Sequence, residues 1–155
     1  MMDDLRDLYQ EVILDHGKSP RNFRATEDAT GRAHGNNPLC GDQLTVFMKV
    51  DDRNVVEDAS FIGRGCAISM ASASMMTEVV RGKSKEEVGR LFGHFHAMCT
   101  GLDSEADQEM GEEMQRLQVL SGVREFPVRV KCATLAWHTM QAALKGEAEV
   151  TTESP

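Results

Sequence analysis

Hydrophobic positions change their spacing along this chain, and each change marks a predicted element. Residues 3–15 carry apolar side chains on one helical stripe, which predicts a first helix that ends before Pro20. Residues 44–50 alternate between apolar and polar, which is typical of a strand with one buried face. A second strand is predicted at 55–63. The polar residues 51–54 between them form a turn, so the two strands make a hairpin.

The second half of the chain predicts helices only. Ser84 and Glu87 have the spacing of a capping box at the start of one helix, and Gly122 closes another. The stretch 20–40, rich in Pro, Asn, Gly and Thr, is predicted to be an ordered loop. The four predicted helices cover residues 67–81, 84–98, 110–120 and 126–144.

These elements predict one α+β domain over residues 1–146, with a small antiparallel sheet and helices on one side of it. The tail 147–155 is acidic and polar and is predicted to be disordered. The chain has no internal repeat and no linker long enough to separate domains.

Charge and hydropathy narrow the classes of function. The 155 residues carry a formal net charge of −8, which argues against a nucleic-acid binder or a protein that binds acidic membranes. No apolar run reaches the roughly 18 residues that span a bilayer, and the acidic N-terminus is unlike a secretory signal. The expected location is the cytoplasm, where thiols stay reduced.

Four side chains that can bind a metal lie at the boundaries of predicted elements: Cys40, Asp42, Cys66 and Cys132. Cys40 precedes the first hairpin strand and Cys66 follows the second, so antiparallel pairing brings them to the same edge. Cys66 also begins a helix, where free N–H groups favour a thiolate. Three sulfurs and one carboxylate suit zinc. Cysteines also serve as buried filling, and spacing alone leaves both interpretations open.

The other possible ligands are predicted to have no metal role. On a helix, His94 and His96 point about 200° apart, so they cannot share a metal. His96 and Cys99 could share one at i and i+3, but Cys99 is assigned to the core. The remaining histidines are predicted to be non-ligands: His16, His34 and His138.

Three cysteine motifs in order resemble the SufU branch of the IscU/NifU N-terminal family of iron–sulfur assembly proteins. They are NPLCGD at 37–42, GRGCAISMASASMMTE at 63–78 and RVKCATLAW at 129–137. YQEVILDHGKSPRNF at 9–23 also fits, and the match runs from about residue 5 to 145. The resemblance implies a three-stranded antiparallel sheet, whose third strand should lie in or near the 20–40 loop.

The resemblance also implies a site and a function. Cys40, Asp42, Cys66 and Cys132 match the family's metal ligands. SufU-type proteins hold zinc and accept persulfide sulfur from a SufS-type cysteine desulfurase, with Cys40 as the acceptor and Asp42 as ligand and orienter. A partner residue would then take the place of Cys40 on zinc. A SufBCD-type scaffold is the implied acceptor downstream.

Departures from the IscU pattern favour the SufU branch. Lys131 stands where IscU scaffolds have His, and EFPVR at 125–129 replaces a chaperone-docking sequence, so docking of an Hsp70-type chaperone is not supported. The segment 93–122 resembles the insertion typical of SufU. Arg129 and Lys131 either stabilise anionic sulfur or face solvent as helix cations.

Three functions therefore stay open from the sequence. The first is the zinc-dependent sulfurtransferase. The second is a scaffold holding iron or a [2Fe–2S] cluster, and the third is a non-catalytic, zinc-stabilised interaction domain. Whether the chain is an enzyme depends on which of these holds.

Overall fold

Five α-helices and a four-stranded sheet make up the part of the chain that the computed structural model describes, residues 2–102 and 111–151. The helices are α1 (Met2–Lys18), α2 (Ala67–Val80), α3 (Lys85–Thr100), α4 (Glu112–Leu117) and α5 (Pro127–Lys145), with a 3-10 helix at Gln118–Glu125. The strands are β1 (Gly31–Asn37), β2 (Asp42–Val50), β3 (Val56–Arg64) and β4 (Glu149–Thr151).

The sheet has the order β3–β2–β1–β4. β2 pairs antiparallel with β3 and with β1, which confirms the predicted hairpin and the antiparallel sheet. In the β1–β2 pair Asn37 lies opposite Asp42, so residues 38–41 form a short loop between the strands. This loop contains the first predicted metal ligand, Cys40.

β1 corrects the prediction of a loop throughout 20–40, and it is the third strand that the family resemblance implied. Its sequence GRAHGNN lacks the β-branched residues of a typical strand. Small residues are needed there because α5 packs directly on β1. A Cβ on Gly35 would collide with Thr139 Oγ1, and one on Gly31 with the carbonyl of Ala143.

The helices form a layer against the sheet, as the α+β prediction required. α5 contacts β1 and β2, α2 contacts β3, and α1 and α3 pack against α2 and α5 respectively. Trp137 of α5 is fully buried and stacks on Phe95 of α3, with ring centroids 4.5 Å apart. Within the described residues, no helix is both long and apolar enough to cross a bilayer.

Helix boundaries agree with the sequence except at the C-terminal end of the helix predicted at 110–120. The capping box at Ser84 is present, with its hydroxyl accepting from Glu87 N and the Glu87 carboxylate accepting from Ser84 N. The short helix predicted at 110–120 continues past Gly122 as the 3-10 helix, so Gly122 does not close it. Part of the insertion predicted at 93–122, residues 103–110, lies outside the described residues.

The polar tail also differs from its prediction. Glu149–Thr151 pair in parallel with β1, so the segment predicted as disordered from 147 contains a short strand. The backbone N–H of His34 extends this contact by donating to the carbonyl of Ala148, 2.8 Å away. Residues 152–155 lie outside the described part of the chain.

Candidate metal centre

The loop between β1 and β2 presents Cys40 at the protein surface. The Cys40 amide donates to the carbonyl of Asn37 at 3.2 Å, which closes a turn around Pro38 and Leu39. Gly41 has φ +70°, a left-handed conformation that glycine adopts without strain. Cys40 is half-buried and Leu39 is exposed. The turn therefore holds a thiol that a docking partner can reach.

Asp42, the first residue of β2, is fully buried beneath this loop. Its Oδ1 accepts a hydrogen bond from the Cys66 amide at 2.9 Å, and its Oδ2 accepts one from the Asn37 side-chain amide at 3.3 Å. Gly65 makes this approach possible, because a Cβ there would lie 2.6 Å from Oδ1. These bonds stabilise a buried carboxylate and fix its orientation.

Cys66 and Cys132 come from two helices that pack against each other. Cys66 is the N-cap of α2, and its Sγ accepts from the amide of Ser69 at 3.4 Å. Cys132 lies in the second turn of α5 and is fully buried. Its Sγ also accepts a hydrogen bond from the side-chain amide of Asn37 at 3.6 Å.

These elements converge on one group of possible ligands. The ligand atoms of Cys40, Asp42 and Cys132 all lie within 4.8 Å of one another, and the sulfurs of Cys40 and Cys132 are 3.3 Å apart. Cys66 does not belong to this group of three, although Cys132 is close enough to lower its pKa. The predicted set of four ligands thus has three members clustered, and the fourth, Cys66, is linked to them by its backbone amide, which donates to Asp42 Oδ1 at 2.9 Å.

The two helix cysteines differ in acidity, and Cys66 is the more acidic of them. The hydrogen bond from the Cys132 thiol lowers the pKa of Cys66 to about 6, and the amides of Ser69 and Ile68 lower it further against the effect of burial. The pKa of Cys132 is raised, first by the same hydrogen bond to Cys66 and then by burial. The site therefore stabilises thiolate at the N-terminus of α2 even without a metal.

Cys99 and the histidines lie away from this cluster. Cys99 is fully buried in the core, where burial raises its pKa to about 12, in agreement with the prediction. His16 Nδ1 is 2.7 Å from Ser74 Oγ, and His34 Nδ1 is 3.2 Å from Thr45 Oγ1. The ring of His138 contacts that of His96, a pairing that the sequence did not predict.

The roles predicted for the two cations near Cys132 stay predictions. Arg129 is exposed, and Lys131 is half-buried in the first turns of α5. Two apolar residues nearby, Phe126 and Val128, are 60% and 49% exposed. Val128 precedes Cys132 by one helical turn and lies on the same side of α5.

Asn37 is the residue of this site that the sequence did not single out. It is fully buried, and its amide bridges the Asp42 carboxylate and the Cys132 sulfur. An Asn directly before a Pro is typical of a turn, and that interpretation gave no indication of the hydrogen bonds that its side chain makes. Only its place at the start of the NPLCGD motif pointed to this site.

Comparisons with known proteins place the chain among cluster-assembly proteins. Residues 8–150 match the family model described as NifU-like N terminal domain. The iron–sulfur cluster assembly scaffold protein IscU of Streptococcus pyogenes is 42% identical over 93% of this chain and 87% of its own length. The zinc-dependent sulfurtransferase SufU of Bacillus subtilis is 41% identical over 93% and 94%.

A solved structure supports the same relationship. The crystal structure of a candidate iron–sulfur cluster assembly scaffold protein for the SUF system from Fervidobacterium islandicum has a TM-score of 0.78. It is 31% identical in sequence and covers 86% of this chain and 94% of its own.

Proposed function

Since this chain belongs to the NifU-like N-terminal domain family of iron–sulfur cluster assembly proteins, we propose that it is a zinc-dependent sulfurtransferase. In this role Cys40 accepts persulfide sulfur from a SufS-type cysteine desulfurase. The observation that carries the proposal is the placement of Cys40 on a surface turn, with its sulfur 3.3 Å from that of buried Cys132. The thiol is thus accessible and at the same time part of the ligand cluster.

The proposed transfer is a thiol–persulfide exchange. The Cys40 thiolate attacks the outer sulfur of the desulfurase persulfide, a new S–S bond forms on Cys40, and the donor's S–S bond breaks. The donor cysteine leaves as a thiolate, so the sulfane sulfur keeps its oxidation state and no external oxidant is needed. Cys40 ends as a persulfide that a downstream scaffold, for example of SufBCD type, would accept.

The donors present fit zinc, with Cys40, Asp42, Cys66 and Cys132 as the residues that would hold it. Three thiolates and one carboxylate form a ligand set typical of this ion. Bound zinc would keep the cysteines deprotonated at neutral pH. Asn37 and the Cys66 amide orient the Asp42 carboxylate through its two oxygens.

Exposed apolar residues support docking of a protein partner beside Cys40. Leu39, on the same turn, is 59% exposed, and Phe126 and Val128 lie near Cys132. A partner that covers them would exclude water from the transferring sulfur. The four cysteines are unpaired in the structure, which fits a reducing compartment such as the cytoplasm.

A cluster scaffold is the alternative, and the name of the Streptococcus pyogenes relative favours it. The same thiols could hold a [2Fe–2S] cluster as cargo, because thiolates also bind iron–sulfur clusters. The two functions differ in what the Cys40 sulfur does: it carries sulfur in one and ligates iron in the other.

Two substitutions at the cluster test the proposal. Cys40→Ser should abolish stimulation of desulfurase turnover and the gain of one sulfur atom by the protein, measured by mass spectrometry. Asp42→Ala should form no stable cluster under conditions that load wild-type protein with zinc. Cys99→Ala is the matched control, since it removes a cysteine outside the site and should leave sulfur transfer unchanged.

One combined result would favour the scaffold function over the sulfurtransferase function. In that case Cys40→Ser would stimulate the desulfurase as well as wild type does, and Asp42→Ala would hold a coloured [2Fe–2S] centre that can be transferred. Metal analysis of protein purified without oxygen gives an independent reading. One zinc per chain supports the sulfurtransferase or the zinc-stabilised interaction domain, whereas iron with acid-labile sulfide supports the scaffold and contradicts the proposal.

A further inference from the structure

Two histidines that the sequence assigned no role meet where α3 packs against α5. The ring centroids of His96 and His138 are 5.8 Å apart, with their planes at 80°. We propose that His96 and His138 form a second metal site, which binds a borderline divalent ion such as Zn²⁺ or Ni²⁺ and joins α3 to α5. This site is separate from the thiolate cluster.

The separation of the rings suits a shared ion. Zinc lies about 2.0–2.1 Å from an imidazole nitrogen, hence about 3.2 Å from the ring centre. Two imidazoles at a tetrahedral angle then have centroids about 5.2 Å apart, and a wider angle of about 130° gives about 5.8 Å. The observed centroid spacing of 5.8 Å therefore lies within about half an ångström of the value for a tetrahedral angle.

Open space beside His138 leaves room for further ligands. A cavity of about 410 Å³ is lined by His138 and by neighbouring residues of α3, α5 and the turn that follows α5. Glu147 also lines it, but among the described residues no carboxylate joins the two imidazoles in a three-ligand group, so water would fill the other positions. Lys145 lines the same cavity. The pair of imidazoles therefore decides whether a cation binds.

The state of His138 favours binding at neutral pH. Burial lowers the pKa of His138, and the neighbouring His96 lowers it further. The ring is therefore neutral at pH 7, and a metal has no proton to displace from it. Phe92 packs edge-on against both rings, 5.0 Å from His138 and 6.0 Å from His96, and limits their rotation.

The two sites differ in ligand chemistry and in position. His138 follows Cys132 by six residues, which is about 9 Å along the axis of α5. Nitrogen and oxygen ligands bind zinc more weakly than three thiolates do, so the second ion should bind only after the first site is full. Imidazole also accepts nickel, which provides a paramagnetic probe.

The test uses the full chain without a histidine tag and already loaded with one equivalent of zinc. Calorimetric titration with Zn²⁺ should show a second equivalent, and His96→Gln should weaken it by about 100-fold, the order expected when one of two protein ligands is lost. His34→Gln is the matched control, because it removes a histidine of β1 outside this pair. It should leave the second equivalent unchanged.

Nickel locates the site without any substitution. Adding Ni²⁺ to the zinc-loaded wild-type protein should broaden the ring signals of His96, His138 and Phe92 before those of His16 and His34. A second equivalent that survives His96→Gln, or broadening that starts elsewhere, would overturn the proposal. So would the absence of a second equivalent, since the rings would then be a packing contact only.

Discussion

Replacing Gly35 by Ala tests the close contact between β1 and α5 on which the candidate metal centre depends. The added Cβ would collide with Thr139 Oγ1 and lie 3.1 Å from Thr139 Cβ and 3.2 Å from Leu135 Cδ1. The backbone of Gly35 is not in the left-handed region, so alanine meets no conformational penalty there. The cost of Gly35→Ala is therefore steric.

The structure sets the size of this effect. Overpacking a well-packed core by one methyl costs about 1–3 kcal/mol. For a chain of 155 residues the melting entropy is on the order of 0.33 kcal/mol per kelvin, so Tm should fall by about 3–9 °C. Moving β1 away from α5 also separates the Asn37 amide from the Cys132 sulfur, now 3.6 Å apart. Zinc affinity should therefore fall together with stability.

Thermal unfolding of the metal-free protein and zinc competition against a chelator measure the two effects. Gly93→Ala is the matched control, because a Cβ on this α3 glycine meets nothing within 4 Å. Alanine there should raise stability by about 0.5–1 kcal/mol through its higher helix propensity. Adding Thr139→Ala to Gly35→Ala removes the nearest colliding atom, so the double variant should recover part of the lost stability.

The reasoning is wrong if Gly35→Ala is as stable as wild type while Gly93→Ala behaves as expected. It is also wrong if Thr139→Ala gives no recovery, since the collision would then not be the cause. A loss of stability with unchanged zinc affinity would show that the metal centre does not depend on the contact between β1 and α5.

Three further predictions concern single side chains. Ser84→Ala removes the N-cap of α3 and should cost about 1 kcal/mol, seen as a fall of about 3 °C in Tm; an unchanged Tm would show that the cap contributes nothing. Burial lowers the pKa of His16, so this histidine contributes stability above about pH 6.5, and that stability is lost at lower pH as the unfolded chain takes up a proton first. His16→Gln should therefore flatten the dependence of Tm on pH between about pH 7 and pH 5, and an equally steep profile would contradict this. With a pKa of about 12, Cys99 should resist iodoacetamide at pH 8 in metal-free native protein while Cys40 reacts, and equal labelling by mass spectrometry would refute its burial.

The spacing of hydrophobic residues predicted the helices and strands that have one buried face. The β2–β3 hairpin and α3, with its capping box, follow from local patterns because alternation and capping act within a few residues. β1 could not be found in this way. Its small residues are set by the approach of α5, a contact with residues about a hundred positions later in the chain.

The candidate metal centre was likewise only partly predictable from local sequence patterns. Cys40 and Cys66 were predicted to be neighbours because antiparallel pairing fixes which strand ends meet. Cys132 was grouped with them by its position near the start of a predicted helix and by the family resemblance, since no local pattern reports how α5 packs. The bridging amide of Asn37 and the contact between His96 and His138 depend on packing between distant elements, and neither has a local signal.

The short strand β4 has a consequence for self-association of this protein. Unpaired strand edges offer free N–H and C=O groups to other chains. Here β4 covers β1, and residues 22–24 lie along β3, where the Phe61 carbonyl accepts from the Arg24 amide at 2.9 Å. Cutting the chain before residue 149 would uncover β1, a glycine-rich edge next to the Cys40 turn. Self-association through that edge would then compete with any partner that docks on the thiol.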